Sequence, residues 1–369
     1  MDADAIVVGG GIVGAACARE LARGGMHVIV LEARTVGCAA TAAGMGHIVV
    51  MDDSPDQLAL TAYSVALWRE LALALPSAAE YDACGTLWLA EDGAQMDAVR
   101  EKQRAYEAHG IEAEIVDQNR LAELEPNLRR GLEGGLRVTG DAVVYSPRAA
   151  VAIIDEARSR GADVREHARV ERIEDGTAHV DGKRVRAPVI VNAAGLHASS
   201  LVPDLPIVPR KGHLAITDRA PGFVKHQLVE LGYLTSAHVM TSESVAFNVQ
   251  PRRTGQVLIG SSRELVGWDD STNRPLLQRM LARALEFMPS LAALNVTRTW
   301  TGFRPATPDK LPLIGAWPAI PGLWIAAGHE GLGITTSLGT AHLLADLILG
   351  RTPALDGCAF RPDRAMARA

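Results

Sequence analysis

A chain of 369 residues, 48% hydrophobic and 22% charged, can bury a sizeable core and has the balance of an ordinary globular protein. Its formal charge of -6, without any basic run, argues against nucleic acid or an anionic membrane as main partner. Four cysteines, Cys17, Cys38, Cys84 and Cys358, lie far apart with no CxxC pair, which excludes a disulfide-built scaffold and fits idle thiols in a reducing cytoplasm.

Ala5 to Val8 is a short apolar run, the pattern of a strand buried on both faces. No basic segment precedes it, so no signal peptide is expected, and the cytoplasm is the expected compartment. Gly9-Gly10-Gly11-Ile12-Val13-Gly14 follows, then good helix formers from Ala15 to Arg23, which Gly24 and Gly25 stop. His27 to Leu31 reads as a second strand, ended by Glu32. Gly9 permits a tight turn, Gly11 lets a pyrophosphate approach the backbone, and Gly14 lets helix and strand pack closely. The helix N-terminus at Ile12 and Val13 offers N–H groups and partial positive charge to a diphosphate. Glu32, with Ala33 and Arg34 behind it, stands where a carboxylate accepts hydrogen bonds from a ribose, and it disfavours a 2′-phosphate. The unit reads as a dinucleotide site, and by itself fits either NAD or FAD.

Thr35 to His47 is small, flexible and nearly uncharged, suited to passing close under a bulky flat ligand or to starting an Ala-rich helix. Thr41 is its hydroxyl, Ala43, Gly44, Met45 and Gly46 its narrowest part, and His47 its end. Ser146-Pro147 leads into a helix from Arg148 to Arg160, and Ala162 to Val170 reads as one strand. Val170 meets an adenine through its backbone or is plain core. Val189 onward is another strand, ending in the small residues Ala194 and Gly195. Gly85–Leu89, Ile207–Thr217, Val245–Gln250, Gln256–Gly260 and Val296–Phe303 read as strands of a second layer, with antiparallel pairing expected. Leu311 to Gly328 carries no charge and approaches the length of a membrane span, but Pro312, Pro318 and Pro321 make it a loop, a turn and a buried strand. Gly331, Leu332 and Gly333 then open a helix from Ile334 through Thr335 to Leu349. The fold class is α/β. A Rossmann-like domain is expected from 1–80, 140–205 and 304–369, interleaved with an antiparallel-sheet substrate domain from 81–139 and 206–303. No His/Cys cluster has metal-ligand spacing, so no metal is expected.

The stretches VVGGGIVGAACARELARGG with Glu32, TAAGMG, VIVNAAG, GFRPATPDKLPLIG and AAGHEGLGITTSLGTAHLLADLI together resemble the D-amino-acid oxidase group of FAD-dependent oxidoreductases. That group includes glycine oxidase, sarcosine oxidase and amino-acid dehydrogenases, and the matches span nearly the whole chain in order. The resemblance implies bound FAD, with the helix N-terminus at Gly333 to Thr335 aimed at the flavin pyrimidine. The FAD is expected to be noncovalent, because the Cys that sarcosine oxidases carry near GFRP is missing here. Arg304 matches the family's carboxylate-binding arginine; its alternative is a pairing with Asp309 that holds the turn. His47, His329 and Glu330 are expected at the flavin edge, with a capping role as the alternative for His329. Glycine oxidase has a further Arg where this chain has Gly331. Lys211 and His213 in PRKGHL match a family strand, Lys211 as a solvated charge; Tyr145, Tyr233 and Trp268 are candidate pocket walls.

The reaction implied is hydride transfer from Cα of a small amino acid to flavin N5. The GHEGLG stretch is similar to the D-amino-acid and hydroxyproline dehydrogenase branch, which implies a D-configured or cyclic substrate such as D-proline or hydroxy-D-proline. Sarcosine oxidases place an oxygen-activating Lys where this chain has Leu258, so a dehydrogenase is favoured. Its electron acceptor is a quinone, a redox partner or O2. The alternatives are a glycine- or sarcosine-type oxidase releasing hydrogen peroxide, and the flavin subunit of a larger complex with partner-subunit or peripheral membrane contacts.

Overall fold

The computed structural model describes residues 1–232 and 243–364. β1 (Ala5–Val8), α1 (Ile12–Arg23) and β2 (Val28–Leu31) open the chain. The glycine-rich loop makes one helical turn, α2 (Ala40–Ala43), before β3 (His47–Ile48) and the long α3 (Pro55–Ala72). Then come β4 (Thr86–Ala90), α4 (Gly93–Glu107), β5 (Ala113–Asp117), α5 (Gln118–Leu124), β6 (Gly134–Val138) and β7 (Ala142–Val143). α6 (Ser146–Ser159) leads to β8 (Asp163–Arg165), three short strands β9 (Val170–Glu174), β10 (Thr177–Val180) and β11 (Lys183–Arg186), then β12 (Val189–Asn192) and α7 (Ala198–Leu201). β13 (Val208–Arg219), β14 (Gln227–Glu230), β15 (Glu243–Pro251), β16 (Gln256–Glu264), α8 (Arg274–Phe287) and β17 (Val296–Ala306) follow. β18 (Leu313–Ala316), β19 (Leu323–Ala327) and α9 (Gly333–Ile348) come last among the strands and α-helices of the described residues.

Two sheets organise these elements. The first runs β18-β19-β12-β1-β2-β8, parallel except at the β18 edge. Its strands are apolar on both faces because both faces are covered. Ala5, Val7, Val28 and Val30 pack with α1, α6 and α9; Ile6, Ile29 and Leu31 pack with Ile173, Ala178 and Val185 of the β9–β11 sheet. The second sheet runs β17-β13-β16-β15-β14-β4-β6-β5. Its outer face buries Leu87, Phe247, Val249 and Ile259 under Met280, Ala284 and Phe287 of α8.

Three departures from the sequence reading have physical causes. The run Ala162 to Val170 is not one strand: His167, at φ +58, turns the chain, so β8 joins the first sheet and β9 the small one. The second sheet is not wholly antiparallel, since β14 lies parallel to β4. These two strands come from separate chain segments, so no hairpin constrains their direction. Lys211 is not solvated; it is 1% exposed and pairs with Glu264 at 3.0 Å, also donating to the Ser271 carbonyl at 2.9 Å. Leu311 to Gly328 forms the β18–β19 hairpin, and no helix of the described residues is long and apolar enough to cross a membrane.

The inner face of the second sheet meets the first half closely. Glycines make that approach possible: a Cβ on Gly302 would overlap the Cβ of Ala43, and one on Gly260 would come within 2.9 Å of Met45 Sδ. The loop 43–46 therefore lies directly over β16 and β17, fixed by Trp300 Nε1 donating to Ala43 O at 3.1 Å and Gln250 Nε2 donating to Met45 O at 2.7 Å.

Candidate active site

The nucleotide end is built by close backbone approach. Gly9 adopts φ +106 with the Ala193 carbonyl oxygen 2.6 Å from where a Cβ would sit, and a Cβ on Gly14 would overlap the Gly9 carbonyl. α1 starts at Gly11 without a side-chain cap, although Ile12 N donates to Thr41 Oγ1 at 3.0 Å. Glu32 is buried and accepts from Gly10 N at 2.6 Å and Arg34 N at 2.8 Å. This places Thr41, Glu32 and Arg34 around one turn. Val170 opens β9, while Ala194 and Gly195 follow β12 beside the same turn.

The second helix start, α9, also lacks a side-chain cap. It is fixed from behind: Trp68 Nε1 donates to the carbonyls of Ile334 and Thr335 at 3.1 and 3.0 Å. Thr335 Oγ1 donates to His47 O at 2.9 Å and ties α9 to β3.

Between the two halves lies a cavity of about 60 Å³. His47, Glu330, Gly331 and Leu332 line it from the first half. Arg210, Arg263, Asn248, Gln227 and Trp88 line it from the second sheet, with Lys310 and Asp53 also at its wall. Arg304 stands directly opposite Arg210 in the β13–β17 register, donates Nη1 to Ser262 O at 3.1 Å, and borders Gly331. Two guanidiniums opposite each other on neighbouring strands repel. Glu330 meets that charge: it pairs with Arg210 at 3.4 Å, and although burial pushes its carboxyl up, Arg304, Arg263 and Arg210 hold it below the usual range. Burial pushes the His47 imidazole down to about 4, Arg304 adds to that, and the ring is neutral at pH 7.

Residues 4–347 match the family model described as DAO, FAD dependent oxidoreductase. The chain belongs to that family. It is 29% identical to a glycine oxidase of Pseudomonas aeruginosa, over 97% of this chain and 98% of that one. It is 31% identical to a D-amino acid dehydrogenase of Methylobacterium, over 73% of this chain and 64% of that protein. The crystal structure of glycine oxidase from Geobacillus kaustophilus superposes with a TM-score of 0.87 at 27% identity, covering 98% of both chains.

As a member of the DAO family the protein is an FAD-dependent oxidoreductase, and the residues fit that cofactor: two helix starts whose own N-cap residues supply no side-chain cap, and a glycine cradle that a Cβ would fill. Gly9, Gly11, Ile12, Gly14 and Glu32 would hold the diphosphate and ribose, and Gly333 to Thr335 the far end of the ring system. None of the four cysteines lines the cavity.

Other expected residues fall elsewhere. Asp309 is paired with Arg364 at 2.9 Å, so the turn has its own cation. Tyr145 lies on the outside against Arg252, and Trp268 stacks on His197, with centroids 5.2 Å apart; neither lines the cavity. Tyr233 lies outside the described residues. His329 is 4% exposed and does not line the cavity, because its Nε2 faces Thr340 Oγ1 at 3.0 Å inside α9. The sequence reading missed Arg210, Arg263, Lys310, Asn248, Gln227 and Trp88 as lining residues.

The His329 position has a consequence for pH. Burial depresses its imidazole to about 3, while an unfolded histidine titrates near 6.5. The unfolded chain therefore takes up the proton first, so the stability contributed by neutral His329 is whole above pH 6.5 and drains as pH falls towards 3. Buried Asp141 runs the other way: its carboxyl is pushed up to about 7, and its contribution is lost as pH rises from near 4 to 7. The difference between parent and His329→Gln isolates the histidine. The melting temperature of the parent should fall more steeply between pH 6.5 and 4 than that of the variant; parallel profiles would refute it.

Proposed function

We propose that the protein oxidises a small amino acid at the carbon bearing the amine, passing electrons to an acceptor other than O2. The observation that carries the amino-acid substrate is the set Arg304, Arg210 and Glu330: Arg210 and Glu330 line the cavity and Arg304 borders Gly331 of its wall, which offers guanidinium to a carboxylate and carboxylate to an ammonium. Bound FAD supplies the hydride-accepting centre.

The chain's own groups bind and aim. Arg304 takes the α-carboxylate in planar, paired hydrogen bonds. Glu330 stays ionised beside its guanidiniums, so it attracts the arriving ammonium without being a strong base for it. Neutral His47 adds no charge at the reacting carbon. The amine must reach its neutral form for its lone pair to drive the hydride out; the imine product then hydrolyses to an oxo acid. Holding the substrate in this geometry lowers the barrier by several kcal/mol.

The test is anaerobic mixing of the purified protein with glycine, sarcosine, proline derivatives and both enantiomers of other amino acids, following flavin absorbance. Bleaching by one class supports the reading; no bleaching by any sinks it.

The dehydrogenase reading rests on Leu258. It is 3% exposed and packs with Met45 and Leu214 in a dry apolar cluster. A cation there would stabilise charge developing on oxygen. Leu258→Lys should raise the rate of flavin reoxidation by O2 about ten-fold or more, the effect of roughly 1.4 kcal/mol. An unchanged rate in stopped flow would count against the assignment.

A further inference from the structure

Three neighbouring strands carry uncharged polar side chains on the inner face of the second sheet. Val229 of β14 is in register with Trp88 of β4 on one side and Asn248 of β15 on the other, and all three line the cavity. Gln227, two residues along β14, shares that face and lines the cavity too. Trp88, Gln227 and Asn248 are 1%, 2% and 4% exposed. Trp88 stands three strands from Arg263, about 14 Å at the backbone, so this corner lies apart from the charged end of the cavity.

Each of the three holds a polar atom that is buried without a hydrogen-bond partner among the described residues: Trp88 Nε1, Gln227 Oε1 and Asn248 Oδ1. Gln227 Nε2 donates to Thr86 Oγ1 at 3.3 Å, which orients the amide and leaves Oε1 to accept. The Trp88 indole can only donate, and its ring is backed by Lys102 Nζ, 4.2 Å from the centroid and paired with Asp52. The corner therefore offers one hydrogen and two accepting oxygens, and leaving such buried atoms unpaired is costly. A hydrocarbon group answers none of them. A carboxylate would take the indole hydrogen but repel both oxygens, and an ammonium would serve the oxygens but meet the indole N–H. A hydroxyl has one hydrogen for two acceptors. A primary carboxamide, with one oxygen and two N–H groups, can serve all three.

We propose that the substrate is an amino acid whose side chain ends in a primary carboxamide, held by Trp88, Gln227 and Asn248. This rests on the amino-acid reading above and adds the side chain to it. The three residues set specificity: a site built around buried hydrogen-bonding atoms rejects a group of the same shape that cannot pair with them. Val229, in register between Trp88 and Asn248, leaves an apolar strip for the methylene groups that carry the amide.

Two measurements separate this inference from the reading beneath it. The first is binding without reaction: titrate the FAD-loaded protein with succinamate, succinate and isocaproate, the skeletons of asparagine, aspartate and leucine without the amine, and with glutaramate, that of glutamine. The flavin spectrum reports binding. One of the two amides should bind at least about ten-fold tighter than succinate and isocaproate, the value of the hydrogen bonds they cannot make. Gln227→Met should cost that amide at least about ten-fold more than it costs isocaproate, and Trp88→Phe, which keeps a ring beside Lys102, should do the same. Equal binding of all the probes, or equal losses in both variants, overturns the inference. The second is anaerobic flavin reduction by asparagine and glutamine against leucine and aspartate, in both enantiomers. If leucine or aspartate bleaches as fast as either amide, amino-acid oxidation stands and the inference fails. If the amide probes bind selectively yet no amino acid bleaches, the subsite stands and the oxidation reading fails.

Discussion

A Gly14→Val protein should purify without its yellow colour. A Cβ on Gly14 would overlap the carbonyl oxygen of Gly9 and lie 3.4 Å from Ala193 Cβ, both held by the first sheet. Neither can retreat, since Ala193 N donates to Val8 O at 2.9 Å and Gly9 N to Leu31 O at 2.9 Å. The helix must move instead, and its first-turn N–H groups leave the diphosphate they serve. Overpacking of this kind costs about 1–3 kcal/mol in a core, and the loss of aligned donors adds to it; FAD affinity should fall at least about 100-fold. Gly25→Ala is the control, because Gly25 faces open space, although its φ is positive, +88. It should cost stability of about 1 kcal/mol and keep the cofactor. Full FAD occupancy in Gly14→Val would show that α1 does not position the diphosphate.

Arg304→Ala should raise the substrate dissociation constant about 10- to 100-fold in anaerobic reduction, with a smaller loss in limiting rate. A carboxylate held by a guanidinium contributes about 1.5–3 kcal/mol, and the variant leaves it facing Arg210 and Arg263 in a less suitable geometry. Arg304→Lys should recover only part, since a point charge cannot make the planar pair. An unchanged constant would move the α-carboxylate onto Arg210 or Arg263 and leave Arg304 as a brace for the Ser262 carbonyl.

The nucleotide end was legible in the sequence because its geometry is local. Strand, turn, helix and strand follow one another from Ala5 to Leu31, and the close approach of Gly14 to the Gly9 carbonyl falls within that stretch. The cavity was not legible in the same way. Its lining reaches from His47 to Leu332, and neighbouring residues in sequence take opposite fates. Arg210 faces the cavity while Lys211, one step along β13, is buried against Glu264. A period of two says that they differ, but not which one looks inward. That is decided by loop 43–46 lying over Gly260 and Gly302, a contact between distant segments. His329 shows a related limit: its ring turns towards Thr340 of the helix that follows it, a choice of rotamer that spacing does not report.

The parallel pairing of β4 with β14 carries one more consequence. It joins a strand near residue 88 to one near residue 229, with β8 and β12 of the other sheet lying between them in the chain. Neither half is therefore a single stretch that could be cut out, swapped or grafted as a cassette. Transplanting this cavity onto a relative would take at least two exchanged pieces, and a library that shuffles only one would tear the sheet down its middle.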